Sequence, residues 1–124
     1  MGGWKPMKFF TKLLFVIPLF FIPVLGAFAY TDNNIVIVRI MDKAAGKTQL
    51  VKIPVGENVQ VDKLSVLTRS CKKTDPFQAE DFFAFIEIQE SDKGKIFSGW
   101  MSRNNPGQNP LQNPDYDLWV VGCE

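Results

Sequence analysis

The residues whose types and spacing could do chemistry are two cysteines, Cys71 and Cys123, and three close sets of carboxylates. The sets are Glu80 with Asp81, Glu87 with Glu90, and Asp115 with Asp117. The 124 residues include no histidine. That removes the usual general base near neutral pH and the commonest metal ligand, and it excludes Ser-His-Asp and Cys-His mechanisms. Two thiols without histidine make a poor zinc site, because structural zinc takes four ligands, mostly nitrogen or sulfur. Nor do they form the C-x-x-C of a thioredoxin-like redox centre. In an oxidising compartment, a pair in a small domain reads as one structural disulfide, worth about 4 kcal/mol by chain-entropy arithmetic for so long a loop. The sequence implies no metal and no cofactor.

The carboxylate sets invite a hydrolase reading, since a glycosidase needs two carboxylates flanking a sugar. Against it, Glu87 lies on the strand face opposite Ile86 and Ile88, where a solvated charge belongs. No nucleophile-and-base pair is visible either. Asn113, Asp115 and Asp117 alternate as oxygen ligands sometimes do, but without an EF-hand pattern they read as a turn whose side chains bond local backbone. Trp100, Trp119 and Tyr116 read either as a platform for glycan or peptide or as buried core aromatics. Strand parity puts Ile96, Ser98 and Trp100 on one face, with Phe97 and Met101 on the other. The neighbouring segment carries Asn-Pro at 105–106, 109–110 and 113–114. A long polar loop of this kind on a stiff scaffold is where binding usually sits, which makes Arg103, Tyr116, Asp115 and Asp117 candidate contact residues.

The elements that must position these residues begin after a leader. Lys5, Lys8 and Lys12 precede an uncharged apolar run, Leu13 to Leu25, and Ala27-Phe28-Ala29 has the small residues of a signal-peptidase site. Cleavage there makes Tyr30 the mature N-terminus. The alternative is an uncleaved anchor, since Leu13 to Tyr30 is near the lower length limit for spanning a bilayer, although Pro18, Pro23 and Gly26 would kink it. Removing the three leader lysines from 14 basic residues leaves 11 against 13 acidic ones, so no nucleic-acid partner is expected.

With eleven Phe and three Trp, the chain is too apolar to stay disordered. Residues 30–34 read as a mobile polar entry to a β-rich domain at 35–124. Short β-type runs follow, separated by turn signals: Ile35–Ile40, Thr48–Ile53, Asn58–Val61, Leu64–Cys71, Phe82–Gln89, Lys95–Met101 and Leu118–Cys123. One helical turn could fit around Gln78–Asp81. The pattern predicts an all-β domain of about six to eight short strands, as a small sandwich or partly open barrel, preceded by a signal-peptide helix.

Several strings along the chain are distinctive. They are Ile40-Met41-Asp42-Lys43 with Gly46, Ile53-Pro54-Val55-Gly56-Glu57, Cys71 followed by Asp81 to Ile88, and Phe97-Ser98-Gly99-Trp100-Met101. The C-terminal third adds Asn105-Pro106, Asn113-Pro114, Asp115-Tyr116-Asp117-Leu118-Trp119-Val120 and Cys123. In these the chain resembles the exported alphaproteobacterial proteins grouped as domain of unknown function 2155. Arg103 and Asn104 stand where the resemblance leads one to expect a smaller, more apolar turn. The resemblance implies a Gram-negative envelope location and brings no activity, substrate or catalytic residue.

The expectation is therefore a periplasmic, non-enzymatic β domain that binds or supports another envelope component, protein or otherwise, through the 103–117 loop. Two alternatives stand beside it: a small envelope hydrolase using a carboxylate pair, and a membrane-anchored accessory subunit of a larger envelope or respiratory complex. The leader, if uncleaved, would be the only membrane contact.

Overall fold

Val36, Val38 and Ile40 alternate with less buried neighbours, and that period of two makes Ile35–Asp42 a strand with one face in the core. The same logic generates most of the domain. The computed structural model describes residues 30–124; the leader and the Ala27–Ala29 cleavage motif lie outside the described residues. Eight strands follow one another: β1 Tyr30–Asn33, β2 Ile35–Asp42, β3 Lys47–Pro54, β4 Asn58–Val61, β5 Leu64–Thr74, β6 Phe82–Glu90, β7 Gly94–Ser102 and β8 Tyr116–Cys123. All pairings are antiparallel. The larger sheet runs β1-β5-β6-β7, with β4 pairing Leu64 to Leu67 at the start of β5, and the smaller runs β3-β2-β8.

The two sheets bury one shared core. Val36, Val38, Ile40, Leu118 and Val120 from the smaller sheet meet Leu64, Val66, Ala84, Ile86 and Ile88 from the larger. Each large aliphatic side chain so buried contributes about 1.5–3 kcal/mol. Leu111, from the Asn-Pro segment, is also buried, so that segment closes one side of the sandwich as well as linking β7 to β8.

Three β-bulges decide which side chains reach the core. In β5, Thr68 pairs Ile86 and Ser70 pairs Phe85, so Arg69 is the extra residue. Without it the alternation would turn Ser70 inward and Cys71 outward. In β8, Gly122 pairs Ile37 and Val120 pairs Val38, so Val121 is extra. That bulge sets Cys123 opposite Val36, on the inner face. One bulge per strand therefore turns both cysteines toward each other. Cys71 and Cys123 are joined in a disulfide with Cα atoms 5.8 Å apart, within the usual range, and the bond ties one sheet to the other. The third bulge is Ile96 of β7, which packs against the core beside Phe97. Simple parity had put Ile96 with Trp100; the extra residue breaks that parity.

Two expectations are corrected. Tyr30–Asn33 is a strand, with Tyr30 to Asn33 paired to Thr74 to Cys71. Its polar residues gain main-chain bonds, an Asp32–Lys72 ion pair and a Tyr30–Phe83 ring contact. The segment around Gln78–Asp81 is not a helix; the chain turns just before it, where the Phe77 amide donates to Asp75 Oδ1 at 2.8 Å and the Gln78 amide to the Asp75 carbonyl at 3.0 Å.

Candidate functional site

Antiparallel partners share a sheet face, so pairing alone assembles an aromatic row on the outside of the larger sheet. Phe85 pairs Trp100, and their rings meet edge to face at 5.5 Å. One pair further along, Phe83 meets Tyr30 edge to face at 5.5 Å. Trp100 is 44% exposed and Tyr30 is 50% exposed, although such rings are normally buried. Beside them lies a pocket of about 290 Å³, lined by Phe83, Trp100, Ser102, Asn105, Gln108 and Asn109.

A buried carboxylate builds the wall of that pocket. Asp81 is 7% exposed and accepts from Ser102 Oγ at 2.8 Å, the Phe82 amide at 2.7 Å and the Asn104 amide at 3.0 Å. It therefore fixes where β7 ends and the Asn-Pro segment begins. Farther on, Asn109 Nδ2 donates to the Trp100 carbonyl at 3.0 Å. Gly99 makes room for this: a Cβ there would sit 2.6 Å from Asn109 Nδ2. The bond also occupies a carbonyl on the edge of the sheet, a position otherwise open to strand addition.

The structure divides the candidate residues. Trp100 is exposed, as a contact residue must be. Tyr116 belongs to the core: it is 4% exposed and its hydroxyl donates to Asp62 Oδ2 at 2.8 Å. Burial, and then this bond, push its pKa up to about 12. Arg103 is spent on structure, donating to Glu80 Oε1 and to the Glu80 carbonyl at 3.1 Å each and lying over the Phe82 ring. Trp119 sits on the outer face of the smaller sheet beneath Arg39, its ring centroid 6.0 Å from the guanidinium carbon. It also borders a groove of about 280 Å³ with Pro106, Pro110 and Leu111. The three aromatics thus occupy three different environments and form no common platform.

The carboxylates are equally scattered. Glu87 faces outward on the larger sheet, held below the usual carboxylate range first by its hydrogen bond from Arg69, with Lys95 and Ser98 adding to it. Glu90, three residues on, points the other way and is buried, accepting from Asn113 Nδ2 at 2.9 Å. Asp117 pairs with Lys43 at 3.4 Å on the smaller sheet. Asp115 is held by a turn in which Asn113 Oδ1 accepts from the Asp115 and Tyr116 amides at 2.8 and 3.1 Å. Glu87 on one sheet and Asp115 and Asp117 at the other do not converge on one concave site.

A larger cleft, about 450 Å³, opens where β4 turns into β5, and its lining includes Ile40, Asp42, Lys47, Asp62 and Tyr116. There the Tyr116 hydroxyl and Asp62 carboxylate are spent on each other, so it offers a ligand less than the Trp100 face does. Because the folded state raises the Tyr116 pKa from about 10 to about 12, the stability this residue contributes is complete below pH 10 and lost as pH rises toward 12. An alkaline unfolding titration should show this loss for the wild-type protein, and Tyr116→Phe should flatten it.

Sequence reasoning missed Phe83 and Phe85, and it read Asp81 only as half of a carboxylate pair with Glu80. The first two were accessible to it: the alternation that sends Phe82, Ala84 and Ile86 inward sends Phe83 and Phe85 outward. The structural role of Asp81 carried no local signal, because two of its three donors, Ser102 and Asn104, come from the end of β7 and the loop after it. A family model described as an uncharacterized protein conserved in bacteria matches residues 36–123. No curated protein and no solved structure shows a match.

Proposed function

From the premise that the chain belongs to the bacterial DUF2155 family, whose matched region holds both cysteines, Trp100 and the amide-rich loop, we propose that it is a periplasmic, non-enzymatic domain that binds another component of the cell envelope through the Trp100 face. The single observation that carries this reading is Trp100 itself. An indole 44% exposed, braced by Phe85 and bordered by side-chain amides, is the anchor a contact surface needs. The leader with its Ala-Phe-Ala site supports export, and the Cys71–Cys123 disulfide suits an oxidising compartment. The spread of the carboxylates over separate faces supports a binding role over hydrolysis.

The test is retention of the exported protein on envelope fractions. Trp100→Ala should reduce retention about tenfold, the loss expected for a central aromatic anchor, while shifting stability by no more than about 1 kcal/mol. Retention equal to wild type would contradict the reading.

A further inference from the structure

The pocket beside Trp100 has a lining that selects among ligand chemistries. None of its lining residues is charged. The cations nearby are already paired: Lys72 with Asp32, Arg69 and Lys95 with Glu87, and Lys73 and Arg103 with Glu80. A phosphate- or carboxylate-rich ligand would have to break such pairs to find a counter-charge.

What the pocket does present is aromatic surface and amides. Asn105 and Gln108 are exposed, and the hydrogen bonds they make within the described residues use their main chain. Asn109 donates one amide hydrogen to the Trp100 carbonyl and keeps its Oδ1 as an acceptor. Side-chain amides both donate and accept, so they suit neighbouring hydroxyls that do the same. The Trp100 and Phe83 rings offer apolar surface to the C–H face of a ring. A volume of about 290 Å³ lies just below the roughly 300–1,000 Å³ of sites that enclose a whole drug-sized ligand, so it holds a single ring-sized unit. The exposed aromatics alongside give the rest of a chain somewhere to lie.

Building on the reading of Trp100 as a contact surface, we infer that the ligand is an uncharged glycan chain, with one pyranose unit seated between Trp100, Phe83 and the amides of Asn105, Gln108 and Asn109. The seat is rigid. Asp81 fixes one end of the loop, Asn109 ties it to the sheet edge, and Leu111 pins it to the core. Little ordering is left for binding to pay for.

The test is titration of the exported protein with two defined probes, cellohexaose and the β-1,4-linked tetramer of N-acetylglucosamine, followed by tryptophan fluorescence and calorimetry. The expected result is saturable binding of at least one probe, weakened about tenfold or more in Trp100→Ala. The double variant Asn105→Ala/Gln108→Ala, which changes exposed loop side chains, should weaken binding similarly while unfolding at the wild-type temperature. Binding that survives unchanged in both variants would overturn the inference. So would the absence of binding to both probes at millimolar concentration. If probes do not bind but Trp100→Ala still loses envelope retention, the contact surface stands and its ligand is a protein. If retention is also unaffected, the contact reading fails with it.

Discussion

Cys123→Ser should lower the stability of the domain by about 2–5 kcal/mol, the largest effect expected of any single substitution here. The bond spans 52 positions and encloses β6, β7 and the whole Asn-Pro segment. Opening it restores to the unfolded chain the freedom of that long loop. It also releases β8, a short C-terminal strand at the edge of its sheet, from the one disulfide that joins the two sheets among the described residues. Domains of this size are stable by only about 5–15 kcal/mol, so the loss removes a large fraction of the total. Urea unfolding checks it: the variant and the reduced wild-type protein should share one lowered midpoint. A midpoint equal to that of the oxidised protein would contradict the expectation.

Asp81→Ala should cost about 3 kcal/mol, since a buried carboxylate that serves three donors leaves all three without a partner when removed. The donors are Ser102 Oγ and the amides of Phe82 and Asn104. Because they sit where β7 hands over to the Asn-Pro loop, the variant should also loosen the wall beside Trp100. Amide exchange is expected to quicken at Asn104 and Asn105 before the core of β6 opens. Arg103→Ala, which removes an exposed ion pair to Glu80, should cost only about 1 kcal/mol by comparison. Equal losses for the two variants would mean that Asp81 does not organise the loop.

These expectations also mark what the sequence discloses and what it hides. Period-two alternation discloses β2 and β6, because each has one face in the core and one facing solvent. It is silent on β1, whose Tyr-Thr-Asp-Asn gains its strand geometry from pairing with β5 and not from any apolar face. The disulfide was legible from two cysteines behind a leader that reads as an export signal. The reason it can form was not, since it depends on single extra residues at Arg69 and Val121 that reverse the side-chain parity of their strands. Tyr116 misled for a related cause: beside a polar loop it resembles a contact residue, but the pairing of Asp42 with Tyr116 starts β8 there and turns the ring inward. Asp81 and Arg103 look from sequence like a spare carboxylate and a free cation. Both are engaged by residues about twenty positions away, at distances no local pattern encodes.

The central claim, that the Trp100 face is where this domain meets its partner, is tested most directly in living cells. A photo-reactive phenylalanine analogue replaces Gln108, which borders the pocket, or Leu50, which is 58% exposed on the smaller sheet. Illumination should yield a heavier adduct from position 108, none from position 50, and none from position 108 once Trp100→Ala is added. An adduct from position 50 alone, or one at 108 that persists in the Trp100→Ala background, would contradict the account.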